Sequence, residues 1–153
     1  MIRNARIDDV KAIYHLLNHF SQKGLLLARS LSSLYDQLRD FQVYVEPEGP
    51  GERVIGACAL HICWENLAEI RSLAVDENFQ RKGIGSKLVA ACLAEAEFFG
   101  IAQVFTLTYQ PSFFASQGFK PIDKKELPHK VWSDCINCPK FPDCNEEAMI
   151  WQK

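Results

Sequence analysis

The sequence predicts an α/β protein built on a mixed β-sheet with flanking helices. In the second half of the chain, apolar strand-like runs alternate with helical runs, a pattern typical of strands joined by crossover helices. In the middle, three strand-like runs follow one another across short turns, which favours an antiparallel meander. Together these observations predict the element order β-α-α-β-β-β-α-β-α-β. No repeat or low-complexity tract interrupts it, so residues 1–153 are expected to form one domain.

One strand and two helices are predicted in the first 40 residues. Residues 2–7 form the strand, and Asp8 is a suitable N-cap for a helix that ends at Gly24. Apolar residues recur on one face of this helix: Val10, Ile13, Leu16, Leu17 and Phe20. Ser30 caps a second helix after an apolar loop over residues 25–30. The apolar positions of that helix are Leu31, Leu34 and Leu38.

Residues 41–75 are predicted to form three strands. Residues 41–45 alternate between apolar and polar side chains, and residues 46–52 have the Gly, Pro and Glu content of a turn. The apolar pattern resumes over residues 53–64, which predicts a hairpin, and residues 67–75 form the fourth strand.

The remainder of the chain is predicted to contain two helices and two strands. The first helix covers residues 83–99 and ends at Gly100, and residues 102–108 form the fifth strand. The inward-facing residues of that helix are Leu88, Cys92, Ala96 and Phe99. A short helix follows over residues 111–118, with proline in its first turn, and residues 147–151 form the last strand.

Composition excludes some partners. A net charge of −2 gives no overall attraction to nucleic acid or to an anionic membrane surface. The N-terminus has no long apolar stretch, so neither a signal peptide nor a membrane span is predicted. The expected location is therefore the cytoplasm.

The sequence Gln-Arg-Lys-Gly-Ile-Gly at residues 80–85 is the strongest functional signal. It joins an apolar strand to a helix, where unpaired N–H groups, the helix dipole, Arg81 and Lys82 would together attract a pyrophosphate. Gly83 and Gly85 would let the backbone approach such a ligand closely. An ordinary strand-to-helix loop is the alternative, since the spacing matches neither a P-loop nor G-x-G-x-x-G.

This turn resembles the [QR]-x-x-G-x-[GA] signature of the GNAT superfamily of acetyl-CoA-dependent N-acyltransferases. Residues 69–75 before it and 113–119 after it fall where that family has its central strand and its short last helix. The resemblance implies the GNAT fold, acetyl-CoA as co-substrate and N-acetyltransferase activity. It also implies a set of coenzyme-binding residues: Leu73, Ala74, Val75, Gln80, Arg81, Lys82, Gly83, Ile84, Gly85, Ser86 and Phe114.

Glu69 is the candidate base, because several members of the superfamily place a glutamate at this point of the fourth strand. A glutamate at the exposed end of a strand is the alternative, and Glu65 is the second candidate. The family's usual acid for the thiolate is a tyrosine, and Phe114 stands at that position here. The hydroxyls of Thr108 and Tyr109, at the end of the fifth strand, are the catalytic alternatives.

The resemblance narrows further to the acetyltransferase domain of N-acetylglutamate synthases in their short, stand-alone form. It is carried by residues 25–30, 69–75 and 127–132. It implies transfer of acetyl to the α-amino group of L-glutamate, the first step of arginine biosynthesis. Glutamate has two carboxylates, so cations from separate elements are expected to bind it. The candidates are Arg29, Arg71 and Lys130.

Two other functions remain open from the sequence. The protein could acetylate another amine, although its candidate cations favour an anionic substrate over a polyamine. It could also be a non-catalytic acetyl-CoA sensor, which Phe114 favours and Glu69 disfavours. A second copy of the chain, forming a homodimer, is the macromolecular partner considered.

The six cysteines fall into two groups. Cys58, Cys63 and Cys92 lie in apolar runs and are expected to be small buried hydrophobes. The second group has C-x2-C-x5-C spacing in a Pro-rich segment, with a histidine six residues before it: His129, Cys135, Cys138 and Cys144. Zinc ligation and a loop with free thiols are both compatible with this spacing, and no metal site is assigned.

Overall fold

A computed structural model describes residues 1–127 and 146–153. Within them, seven strands form a sheet in the order β1-β2-β3-β4-β5-β7-β6. The strands are β1 (Ile2–Asn4), β2 (Phe41–Glu48), β3 (Gly51–Trp64), β4 (Leu67–Val75), β5 (Gln103–Thr108), β6 (Lys120–Pro121) and β7 (Glu147–Gln152). The helices are α1 (Val10–Gln22), α2 (Leu31–Asp36), α3 (Ile84–Phe98) and α4 (Pro111–Ser116). The sheet is mixed, because β4 and β5 are parallel while β5 and β7 are antiparallel. This confirms the predicted fold class.

The chain divides into two compact units. The first unit contains Met1–Leu60 and Ile70–Glu95, and the second contains His61–Glu69 and Ala96–Lys153.

The core of the first unit is built from α1, α2 and the strands beside them. Four residues of α1 are buried at the predicted spacing: Val10, Ile13, Leu17 and Phe20. Each such side chain contributes about 1.5–3 kcal/mol when it is removed from water. Gly24, with φ of +73°, follows the helix as predicted. The Ser30 hydroxyl accepts from the Ser33 N–H at 3.0 Å, which confirms the predicted cap of α2.

The chain between β1 and α1 differs from the prediction. The strand ends at Asn4, and Ile7–Asp9 form a 3-10 turn, so a strand over residues 2–7 and an N-cap at Asp8 were both wrong. The cause is Asp9, which accepts from the Arg3 guanidinium at 2.7 and 3.0 Å and from the Arg6 N–H at 2.7 Å. Burial alone would raise the pKa of Asp9, but these bonds outweigh it and lower the pKa below its usual value.

The β2–β3 hairpin is confirmed, with a tighter turn than predicted. Only residues 49 and 50 separate the strands, and Glu48 pairs with Gly51. The prediction of a turn over residues 46–52 was wrong because Pro47 is accommodated in β2, where it lies opposite Glu52. The pairing of β1 with β2 ends at Tyr44. Within the described residues, Pro47 therefore lies where β2 has no neighbour on that side, and its missing N–H leaves no sheet hydrogen bond unmade.

Helix α3 is confirmed except at its end. Leu88, Cys92 and Ala96 are fully buried as predicted, whereas Phe99 is 53% exposed. The helix ends at Phe98, and Gly100 adopts φ of +78°. This reverses the chain so that the Ile101 N–H bonds the Ala96 carbonyl at 2.8 Å. Ile101 is therefore buried in place of the predicted Phe99.

The second unit has its own apolar cluster. The buried residues of this cluster are Cys63, Leu67, Phe105, Leu127 and Ala148. Strand β7 and the start of α4 at Pro111 are confirmed. The two-residue strand β6 was not predicted, because a Lys-Pro pair has no strand-like pattern, and it pairs with β7 through Ile150 and Met149. No helix in the described ranges is long and apolar enough to cross a membrane.

Candidate active site

The turn over residues 80–85 is shaped by the chain that follows β4. The Asp76 carboxylate accepts from the Asn78 N–H at 2.9 Å, which starts a 3-10 turn. The Gln80 side-chain amide donates back to the Val75 carbonyl at 3.0 Å. Gln80, predicted to bind coenzyme, therefore also ties the turn to the end of β4.

The backbone of this turn suits an anion. Arg81 and Gly83 have φ of +65° and +80°, and such left-handed residues turn successive N–H groups into a concave surface. The first turn of α3 follows directly, where N–H groups lack acceptors within the helix and the dipole is positive. Arg81, Lys82 and Gly83 are all exposed. A Cβ added at Gly83 would meet no neighbouring atom within 4 Å, so glycine is favoured there by its conformation and not by a lack of space.

An aromatic ring supports the cations of the turn. The Lys82 ammonium lies 5.3 Å from the centroid of Phe79, and the Arg53 guanidinium lies 5.7 Å from the same ring. Arg53 also pairs with Asp76 at 3.1 Å. A cavity of about 270 Å³ in this unit is partly lined by Phe79, Lys82 and Ile84. Lys82 thus places an exposed cation beside the predicted pyrophosphate site.

Arg29 is held by groups from several elements of the first unit. Its Nη1 donates to the Ser72 hydroxyl at 3.3 Å, and its Nη2 donates to the Ser33 hydroxyl at 3.1 Å and to Gln37 Oε1. The guanidinium also lies 5.2 Å from the centroid of the buried Phe41 ring. The hydroxyls, the amide oxygen and the ring together orient the guanidinium.

Ser72 adopts an uncommon backbone conformation within β4. Its φ is +56°, in the left-handed region that L-residues rarely occupy. The predicted coenzyme-binding residues Leu73, Ala74 and Val75 follow it directly, and Arg71, half-buried, precedes it. The unusual geometry therefore falls inside the segment that the sequence assigns to substrates.

The predicted catalytic residues lie in the second unit. Glu69 is 9% exposed, and its partner in the parallel register with β5 is Phe105. Thr108, three residues further along β5, is buried, and its Oγ1 accepts from the Gln110 N–H at 2.8 Å. At about 3.3 Å per residue, Thr108 lies roughly 10 Å along β5 from Phe105. The half-buried Tyr109 follows it.

Phe114 occupies the position where a tyrosine acid is usual. It is 4% exposed, and its ring makes edge contacts with Phe113 and Phe119 at centroid distances of 5.1 and 5.2 Å. Its role toward coenzyme stays a prediction. Lys130 lies outside the described residues, as do His129 and the cysteines of the Pro-rich segment.

Sequence reasoning did not identify the partners of Arg29. Ser33 lies in α2, Gln37 directly follows that helix, and Phe41 begins β2. Only the folded chain brings them to one guanidinium. The left-handed conformation of Ser72 has no sequence signal either, because glycine or asparagine is the usual residue there.

Comparison with known proteins identifies the family. Residues 10–119 match the Acetyltransferase (GNAT) family. The chain belongs to this family. The match includes the 80–85 turn, Glu69 and the helix that carries Phe114, so it covers the motifs on which the resemblance rested.

Three similar proteins extend this result. An uncharacterized N-acetyltransferase of Chlorobaculum tepidum is 42% identical over 97% of this chain and 94% of its own. An amino-acid acetyltransferase of Mycobacterium tuberculosis is 36% identical over 88% of this chain and 76% of its own. The crystal structure of N-acetylglutamate synthase from Neisseria gonorrhoeae, complexed with coenzyme A and N-acetyl-glutamate, superposes with a TM-score of 0.85 at 27% identity. It matches 99% of this chain, which spans 34% of that protein.

Membership of the GNAT family confirms three predictions. The fold is that of a GNAT acetyltransferase, the protein is an N-acetyltransferase, and acetyl-CoA is its co-substrate. The 80–85 turn fits this co-substrate, because its exposed cations and left-handed backbone suit a pyrophosphate.

Proposed function

We propose that this GNAT enzyme transfers acetyl from acetyl-CoA to the α-amino group of L-glutamate, the first step of arginine biosynthesis. The proposal treats residues 1–153 as one catalytic domain. Within it, residues 73–75 and 80–86 together with Phe114 bind the co-substrate, and Arg29, Arg71 and Lys130 bind the amino acid. The homodimer stays a prediction.

The geometry of Arg29 is the observation that carries the proposal. Its guanidinium is half-buried and oriented by Ser33, Gln37 and Ser72, and it lies over Phe41. A guanidinium oriented in this way suits two-point binding of a carboxylate better than a flexible surface cation does, because less side-chain entropy is lost. A polycationic substrate would be repelled by the same group. The site therefore favours an anionic amine.

The names of similar proteins support the same substrate class. The relative from Mycobacterium tuberculosis is named an amino-acid acetyltransferase, and the structure from Neisseria gonorrhoeae contains N-acetyl-glutamate. An amino acid with two carboxylates agrees better with several cationic side chains than a neutral amino acid does. Glutamate is therefore favoured over neutral amino acids.

The chemistry assigns separate tasks to the residues of the chain. Acetyl-CoA supplies the activated thioester. Glu69 removes a proton from the substrate ammonium, which is the dominant form of an α-amine at pH 7. The backbone of residues 73–75 orients the acetyl group, and the 80–85 turn holds the pyrophosphate. A hydroxyl of Thr108 or Tyr109, or solvent, protonates the departing thiolate, since Phe114 has no proton to give.

The proposal is tested by the release of coenzyme A thiol from acetyl-CoA across a panel of amino acids and polyamines. Turnover with L-glutamate that Arg29→Ala lowers by about tenfold or more supports it, because a charge-assisted hydrogen bond contributes about 1.5–3 kcal/mol. Arg39→Ala is the matched control, since Arg39 is an exposed arginine in the turn after α2. Turnover only with other amines would replace the substrate and retain the enzyme class.

A further inference from the structure

We infer that Ser72 is a positioning residue that couples the substrate-binding Arg29 to the acetyl-binding stretch of β4. The inference rests on the proposed function, in which Arg29 binds a substrate carboxylate. The link is the hydrogen bond from Arg29 Nη1 to the Ser72 hydroxyl, at 3.3 Å. Both residues belong to the first unit.

The backbone of Ser72 shows why a link is needed. A serine with φ of +56° is strained, and such residues persist only where their surroundings enforce them. Ile70 and Ala74, two residues to either side, are buried with 2% and 4% exposure, so packing fixes the strand before and after the distortion. Ser72 itself is half-buried, and its side chain is held by the guanidinium. The bond thus holds β4 at its residue of positive φ.

Arg29 is itself fixed, so that it can act as an anchor. Ser33 lies in α2, Gln37 follows that helix, and Phe41 begins β2. These contacts hold the guanidinium from α2 and β2, while Ser72 holds it from β4. A substrate carboxylate that binds Arg29 therefore also affects Ser72 through their hydrogen bond. Ser72 lies one residue before the predicted acetyl-binding backbone at Leu73.

This coupling predicts a particular kinetic effect. Removal of the Ser72 hydroxyl should raise the KM for the amino acid, because Arg29 loses one of its contacts. It should also lower kcat, because the backbone after residue 72 is less well positioned, while the affinity for coenzyme A changes by less than about twofold. A residue with a purely structural role would lower the melting temperature and leave kcat and KM unchanged.

A double-mutant cycle tests the coupling. The rate of thiol release with L-glutamate is measured for the wild type, Ser72→Ala, Arg29→Lys and the double variant. Ser72→Ala should lower kcat/KM by about tenfold, the effect of losing one hydrogen bond to a charged group. The kcat/KM of the double variant should be within about twofold of that of Arg29→Lys alone, because both changes remove the same hydrogen bond between residues 29 and 72. Effects that multiply in the double variant, or a change below twofold in Ser72→Ala, would overturn the inference.

Two controls keep the outcome interpretable. Ser32→Ala removes an exposed hydroxyl one residue from Ser33 and should leave kcat/KM unchanged. If Ser72→Ala does not fold, Ser72→Gly replaces it in the cycle, because glycine tolerates positive φ and also lacks the hydroxyl. If the wild type turns over another amino acid but not L-glutamate, the proposed function fails, and the cycle run with that amino acid decides the inference. No turnover with any amino acid overturns both.

Discussion

Gly83→Ala tests whether the 80–85 turn binds coenzyme through its backbone geometry. Gly83 has φ of +80°, and a Cβ there would meet no protein atom within 4 Å. The penalty is therefore conformational rather than steric, and it amounts to about 1–2 kcal/mol for an L-residue in the left-handed region. In an exposed turn this strain is relieved by local rearrangement. The cost then appears when the ligand requires the original turn.

The expected result is a Kd for coenzyme A that is raised about 5- to 30-fold, the equilibrium equivalent of that strain. Isothermal titration calorimetry of the purified variant measures it. Gly24→Ala is a closely matched control, since Gly24 has φ of +73° and its Cβ would also meet nothing within 4 Å. Gly24 follows α1, so its substitution should lower the melting temperature and leave the Kd unchanged. A folded Gly83→Ala variant with the wild-type Kd would refute the reasoning.

Three further predictions follow from buried groups. Asp9→Asn should destabilise the protein by about 2–3 kcal/mol at pH 7, because the ion pair with Arg3 is lost. The pKa of Asp9 is lowered in the folded state, so its contribution to the free energy of unfolding is present above about pH 4 and is lost as the pH falls through the folded-state pKa. Chemical denaturation of both proteins measures this contribution. If Asp9→Asn lowered the free energy of unfolding equally at pH 7 and pH 2.5, the prediction would be contradicted. Glu69→Gln should lower kcat by about 10²–10⁴ while the Kd for coenzyme A is unchanged, and a loss below tenfold in stopped-flow or steady-state rates would remove its role as base. The hydrogen bond with Cys92 and complete burial raise the pKa of Cys58. Iodoacetamide at pH 8 should therefore label neither Cys58 nor Cys92 until the protein unfolds. Rapid labelling of these two cysteines in the native protein, located by peptide mass spectrometry, would show that the pair is accessible.

Much of the fold was predictable because local signals and packing agree. The apolar spacing in α1, the Ser30 cap and the glycine after each of α1 and α3 are properties of short segments, and the structure bears them out. The errors arose where a distant contact decides the local geometry. Arg3 and Asp9 end β1 early by pairing with each other, and no sequence pattern marks that pair.

The candidate site divides in the same way. The 80–85 turn was visible in the sequence because its glutamine and glycines match the [QR]-x-x-G-x-[GA] signature of the family. The environment of Arg29 was not, since Ser33, Gln37 and Ser72 are ordinary polar residues until the fold places them around one guanidinium. A serine at φ of +56° also contradicts the usual residue preference, and such departures from local rules are expected at functional positions.

Steady-state release of coenzyme A thiol by the purified protein, with acetyl-CoA and L-glutamate, tests the proposed function. We expect saturable turnover with L-glutamate, a kcat/KM at least tenfold above that for neutral amino acids and polyamines, and loss of that preference in Arg29→Ala. Equal turnover with neutral amino acids or polyamines, or a preference that survives Arg29→Ala, would contradict it.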